Sequence, residues 1–321
     1  EGSVGHLVGE PGRGLAGMFV MKNAARLSVG LQGLGVAETA YQVAQKYASE
    51  RLQGRPPVPS KVIQSAYPIT VHPDVQRRLS IMRAEIDSAR AEAYWGAYML
   101  DMAHRAESQA DRHVYEQRIS LLTPVLKSYL SELASRVADE ALQMHGGHGY
   151  VKDYGVEQLV RDVRITEIYE GTNAVQANDL IMRKIRPDNG LVLQSFISDF
   201  QNEVRASKNV ESLRDVAAKL EAAIDQFTAI SDRVVQLEDV DALYNASDYL
   251  RAFGLILSAF MSVRMARLAK DDSSDALGQF QDRKLRLAHI YIDRVLPELT
   301  QIERIFTSVV PSYEEQFWLT G

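Results

Sequence analysis

The chain has 321 residues, 46% hydrophobic and 24% charged, with a formal net charge of −6 and no cysteine. That length allows about two domains. A mildly acidic surface lacks the general attraction for polyanions on which nucleic-acid or anionic-membrane binding rests, and the missing thiols exclude disulfides, cysteine nucleophiles and cysteine-ligated metal.

Residues 1–14 hold Gly2, Gly5, Gly9, Pro11, Gly12 and Gly14 and read as turn and extended connection, as if the chain were entered partway through a longer protein. From Leu15 to about Arg51 the pattern is helical, with Val29, Val36, Ala40, Val43 or Ala44, and Tyr47 on one face. Gly30, Gly33 and Gly35 each weaken that helix by about 1 kcal/mol and call for the close approach of another backbone. The prolines between Gly54 and Ser60 close it. A second helix is predicted from His72-Pro73-Asp74 to about Ala110, started by a proline that loses no bond there and an aspartate on the positive dipole end. A third covers about Ser120 to Leu142, with Pro124 in its first turn. After a glycine-rich break at Gly146–Gly155 come a short helix, Val156–Arg164, a turn around Gly171 and a helix from Asn173 to about Lys184.

Pro187-Asp188-Asn189-Gly190 is a strong turn and the expected boundary between residues 15–186 and 191–321. Three or four amphipathic helices follow, carrying Leu213 to Phe227, Leu250 to Leu268, and Leu285 to Ile302. The fold class is all-α, two successive helical bundles. No run of about 18 apolar residues appears, so no membrane span is expected. With no cysteine to oxidise, a reducing, cytoplasmic location is expected.

Chemistry concentrates in Gln143-Met144-His145-Gly146-Gly147-His148-Gly149-Tyr150 and in the stretch from Arg161-Asp162 to Tyr169-Glu170-Gly171-Thr172. Gly146 and Gly147 offer amides with no side chain in the way, suited to diphosphate oxygens; a helix C-cap and turn is the plainer reading. His145 and His148 lack the further ligands of a recognisable metal set, so no metal is expected. Glu170 follows Ile168-Tyr169, and apolar walls would raise a carboxyl pKa and make it a usable base. Taken singly, such a glutamate is more often a surface or capping group, and Asn23, Arg26, Arg51 and Arg161 more often solvated side chains.

Together, QMHGGHGY, RD and IYEGT resemble the C-terminal signature of the acyl-CoA dehydrogenases. Upstream, LVGEPGRGLAGMF resembles the exit from that family's middle β-domain, and ARLSVGLQGLGVAETAYQVAQKYASERLQGR the first helix of its C-terminal four-helix bundle. Residues 191–321 look like the additional helical domain of the larger members.

The resemblance implies FAD-dependent α,β-dehydrogenation of an acyl-CoA thioester. Glu170 would take the α-proton while the β-hydrogen leaves as hydride to the flavin. The thioester carbonyl would be held by the Glu170 backbone N–H and a flavin ribose hydroxyl. Arg26 would lie near the catalytic carboxylate, Asn23 on the pantetheine arm, and Tyr169 and Gly171 beside the acyl group. Arg51, Gln143, Gly146 and Gly147 would reach a flavin diphosphate bound mainly by a neighbouring subunit, with Thr172 near the cofactor. Two positions depart from the pattern. Arg51-Leu52-Gln53-Gly54 lacks the family's frequent phenylalanine before the glycine, and Asn23 replaces a charge.

An electron-transferring flavoprotein would take the electrons. A homodimer or tetramer would complete the flavin site, and an N-terminal helical domain and a middle β-domain, or another chain, would supply its other walls. The isolated chain is expected to bind flavin poorly and turn over no acyl-CoA. Two alternatives stand beside this reading: a non-catalytic helical oligomerisation module, and an acyl-CoA oxidase.

Overall fold

The structure, a computed structural model, describes residues 2–57, 65–271 and 278–308. Twelve α-helices are present among them, and the only sheet-like pairing there is one antiparallel bridge between Leu52 and Pro68.

Three long helices carry the first half: α1 (Gly14–Glu50), α2 (Pro73–Arg105) and α3 (Gln109–His145). Helix α1 lies along α3 because two of its glycines permit it. A Cβ on Gly30 would sit 2.9 Å from the Leu126 carbonyl oxygen, and one on Gly33 would sit 3.2 Å from that of Leu130. Gly35 does not share this role, since it faces open space.

The expected second and third helices meet elsewhere than predicted. Ala106 turns extended, Ser108 accepts the Asp111 N–H at 3.0 Å as an N-cap, and α3 begins at Gln109. Pro124 therefore lies inside α3 rather than in a first turn. Proline costs a helix interior about 3 kcal/mol, and here every residue from Leu121 to Glu132 except the latter is buried, so tertiary packing outweighs the lost bond.

Short helices follow: α4 (Gly147–Tyr150), α5 (Val156–Arg164, as expected) and α6 (Asn173–Asp179). Helix α6 continues into a π-turn at Leu180–Ile185. Left-handed Asn189 and Gly190 then turn the chain into α7 (Leu191–Lys208), followed by α8 (Arg214–Gln236), α9 (Asp239–Tyr244), α10 (Ala246–Asp271), α11 (Gly278–Ile290) and α12 (Glu298–Thr307). The single helix expected over Leu285 to Ile302 is broken by a π-turn at Tyr291–Val295 ahead of Pro297.

Helix α10 packs against α7, α8 and α11 and also against α2, α3 and α6, so the core runs unbroken across the turn at Gly190. Over 246–270 it is long and apolar enough to cross a membrane, yet 78% of its most apolar stretch is buried within the bundle. Gly254 leaves room for Tyr129 of α3, whose ring would lie 2.1 Å from an added Cβ. The Tyr129 hydroxyl meets that of Tyr291 at 2.7 Å, and close by the Ser258 hydroxyl donates to the fully buried Glu92.

Candidate active site

Glu170 sits in the turn between α5 and α6 with φ +56°, a left-handed conformation that non-glycine residues seldom adopt. Strain of this kind persists only where the surroundings hold it, and here they do. The Glu170 carbonyl accepts from Arg26 Nε at 3.4 Å and from Gln176 Nε2 at 3.1 Å. Gln176 also donates to the Gly171 carbonyl at 3.3 Å, and an added Cβ on Gly171, at φ +88°, would strike that amide nitrogen at 2.7 Å. Thr172 caps α6, accepting the Val175 N–H at 3.4 Å. With its carbonyl so bound, the Glu170 backbone N–H has no acceptor among the described residues.

Arg26 is buried on α1 and pairs with buried Asp179 of α6 at 3.1 Å, while Asp179 takes a second cation, Arg183, at 2.6 Å. One carboxylate thus ties two elements of distant sequence together beneath the turn. Tyr169 lies beside Glu170, is 36% exposed, and donates its hydroxyl to Gln32. The side chain of Asn23 lies outside the described residues. Of the predicted residues, Glu170, Arg26, Tyr169, Gly171 and Thr172 therefore converge.

The surroundings differ from the apolar wall anticipated for Glu170. Its Oε2 is buried with no hydrogen-bond partner among the described residues. Ile168 and Tyr169 are partly exposed, and two buried cations, Arg26 and Lys127, lie close by. Lys127, Gln176 and Asp179 were missed from the sequence. Their signal was a polar side chain at an inward helical position, plainest for Lys127 between Leu126 and Tyr129.

Arg51, Gln143, Gly146 and Gly147 gather elsewhere, at the far end of α1, around an open cavity of about 630 Å3. At 1.5 Å per residue, 25 residues of helix put Arg51 roughly 37 Å from Arg26. Arg51 is fixed through its backbone: its N–H donates to the Tyr47 carbonyl and its carbonyl accepts from Ile69, both at 2.8 Å. Its exposed guanidinium has no carboxylate partner among the described residues. Gly146, at φ +58°, ends α3, and open space lies before the α-carbons of both glycines. Only one of the two amides is available, because the Gly146 N–H donates to the Gln143 carbonyl at 3.0 Å; that of Gly147 has no acceptor among the described residues.

Aromatic rings wall this bend. His145 stacks on Tyr47 at 4.1 Å, and its Nδ1 bonds the Ala141 carbonyl at 2.7 Å; burial lowers its pKa. The Tyr47 hydroxyl meets His148 Nδ1 at 2.8 Å, and the His148 ring lies flat on Tyr154. An exposed guanidinium with no carboxylate partner and one amide with no acceptor among the described residues, together with a carboxamide and bare α-carbons, fit a diphosphate at this bend.

Residues 12–185 match the model of a family described as the acyl-CoA dehydrogenase C-terminal domain, and residues 194–312 match one described as acetyl-CoA dehydrogenase C-terminal like. Among curated proteins, a 3-methylmercaptopropionyl-CoA dehydrogenase of Ruegeria pomeroyi is 36% identical over 93% of this chain and 51% of its own. A butyryl-CoA dehydrogenase of Syntrophomonas wolfei is 28% identical over 95% of this chain and 51% of its own. The chain spans about half the length of these relatives. An acyl-CoA dehydrogenase from Bacillus anthracis, solved with FAD, shares the fold over 98% of this chain and 54% of its own, with TM-score 0.75 and 20% identity.

Proposed function

Because the chain belongs to the acyl-CoA dehydrogenase family, by its match over residues 12–185, we propose that it supplies the base for FAD-dependent α,β-dehydrogenation of an acyl-CoA thioester. The observation that carries this reading is the Glu170 turn: a strained residue whose buried carboxyl oxygen and backbone N–H have no hydrogen-bond partner among the described residues, pinned through its carbonyl by Arg26 and Gln176.

Bound FAD supplies the acceptor for the β-hydrogen as hydride. The work of this chain is proton transfer and aim. Glu170 takes the α-proton onto its carboxylate, and its N–H donates to the thioester carbonyl, where charge builds as the proton leaves. A fixed donor needs no reorganisation at that moment, and the double anchoring of the Glu170 carbonyl is what fixes it. Tyr169 borders the acyl group. At the other end of α1, Arg51, Gln143 and Gly147 hold the flavin diphosphate.

Arg26, whose side chain holds the Glu170 carbonyl, and Arg51 stand roughly 37 Å apart along α1, so one diphosphate cannot touch Arg51 and lie beside Glu170. In this reading each chain therefore serves two flavins, completing a neighbour's with Arg51. That supports a homodimer or a dimer of dimers. The other walls come from N-terminal and middle domains, and electrons leave to an electron-transferring flavoprotein.

The test is Glu170→Gln in the whole protein, with 3-methylmercaptopropionyl-CoA and butyryl-CoA as the first thioesters tried. Flavin content should stay stoichiometric while anaerobic flavin reduction slows by about a hundredfold to ten-thousandfold, the usual worth of a positioned base. Reduction at the wild-type rate would remove Glu170 from the reaction, and peroxide release during turnover would assign an oxidase instead.

A further inference from the structure

Lys127 stands in the most deeply buried stretch of α3, between Leu126 and Ser128, and it is completely buried. A lysine with no access to water is costly unless its charge is used. Its ammonium donates to Asn173 Oδ1 at 2.8 Å, its one hydrogen bond among the described residues, although the group carries three donors. Asn173 is the first residue of α6, two places beyond Gly171, and is gripped from the other side as well. Its Nδ2 donates to Glu132 Oε1 at 3.0 Å and to Ser131 Oγ at 3.2 Å. The turn carrying Glu170 is thereby clamped at both flanks, by Arg26 and Gln176 through its carbonyl and by Lys127 and α3 through Asn173.

The charged groups around Lys127 come from α1, α3 and the segment after α5. Glu132 faces it from its own helix, Glu167 and Glu170 from the segment after α5, and Arg26 from α1; α6 contributes the neutral Asn173. Arg251 of α10 and Arg136 of α3 act on Glu132 in turn. Burial pushes the Lys127 ammonium down to about 8, with Glu167, Glu132 and Glu170 holding it up against Arg26, so it remains mainly charged at neutral pH. Arg26 is already matched by Asp179, and Glu167 by Ser135 and Arg164.

Resting on the reading of Glu170 as the base, we propose that Lys127 is a positioning residue for that reaction: through Asn173 it fixes the turn, and its fixed charge keeps the Glu170 carboxylate available once substrate has displaced water. An acyl chain entering the site strips hydration from a carboxylate, and a buried cation replaces part of what is lost.

The experiment uses the whole flavoprotein and follows anaerobic flavin reduction by butyryl-CoA from pH 5 to 9. Lys127→Gln keeps a donor for Asn173 but removes the charge. It should shift the rising limb of the profile upward by about one pH unit, the effect of losing one nearby opposite charge, so that about tenfold more activity is lost at pH 5.5. Lys127→Arg should return the limb toward wild type. A loss of packing alone would lower the rate at all pH values and leave the limb in place, and that result overturns the proposal. If Lys127→Gln yields no flavoprotein, Asn173→Asp neutralises the same cation in place and should move the limb in the same direction; an unmoved limb there also overturns it. Glu170→Gln run alongside separates the two readings. Reduction lost in Glu170→Gln with limbs unmoved in the Lys127 variants defeats only the role of Lys127, whereas reduction retained in Glu170→Gln defeats both.

Discussion

Glu92 and Glu170 each hold a buried carboxyl oxygen with no partner among the described residues, in opposite surroundings. Glu92 is sealed at the seam between α2 and α10, where its other oxygen accepts from Ser258. Burial pushes its pKa up to about 8, which the Ser258 hydroxyl only partly offsets, and the carboxyl is mainly neutral at pH 7. Glu170 is partly exposed, sits on strained backbone, and has Arg26 and Lys127 beside it. Burial by itself produces an inert neutral acid. A base needs nearby positive charge, a face open to a ligand, and a backbone that cannot drift.

Perturbing the two regions should have different consequences. The largest effect on stability is expected from Arg26→Ala, which leaves Asp179 buried with only the more exposed Arg183. Breaking a buried pair of this kind costs about 3–5 kcal/mol, readable as a lower urea midpoint, and it should also release the Glu170 carbonyl. Glu92→Gln should act in the opposite sense. The folded-state pKa of Glu92 lies above its unfolded value, so its stabilising contribution is complete below about 4.5 and lost as pH rises through about 8. The variant should gain on the wild type between pH 5 and 8, on the order of 4 kcal/mol over that range, with turnover unchanged. A gain that does not grow with pH would place Glu92 in a charged, solvated setting and end the contrast.

Smaller effects separate the two ends of α1. Gly171→Ala forces a side chain onto φ +88° and against Gln176, and should cost about 1–3 kcal/mol together with activity. Gly147→Ala meets open space, should change stability by less than about 0.5 kcal/mol, and should weaken flavin retention by crowding the diphosphate. Arg51→Gln belongs beside it. Stability should be unaltered, because that guanidinium has no carboxylate partner among the described residues, while flavin is lost more readily in the whole protein, measured by absorbance after gel filtration.

Much of this was legible in the sequence because it is local. Val156–Arg164 was read to the residue, and the Glu170 and Gly146 segments were recognisable as motifs. The break between α2 and α3 was expected after Ala110 and lies at Ala106–Ser108, although Ser108 and Asp111 have capping spacing, because helical periodicity on either side concealed a three-residue interruption. Pro124 was placed at a helix start because a proline inside a helix is destabilising by itself, and only the packing around it reverses that. What could not be read is what joins distant positions. Nothing in NAVQAND says that Gln176 and Asp179 meet Glu170 and Arg26, or that Lys127 reaches Asn173. These pairs exist only once α1, α3 and α6 are packed. Gly35 shows the converse, a glycine that sequence logic grouped with two close-packed neighbours and that faces solvent.

Proton removal can be isolated from hydride transfer by giving the whole flavoprotein, in heavy water, an acyl-CoA whose β-carbon bears no hydrogen, and following deuterium uptake at the α-carbon. Wild type should exchange, and Glu170→Gln, with its flavin still bound, should exchange at least about a hundredfold more slowly. Equal exchange in both would mean that another group removes the proton, and that the pinned turn at Glu170 serves packing alone.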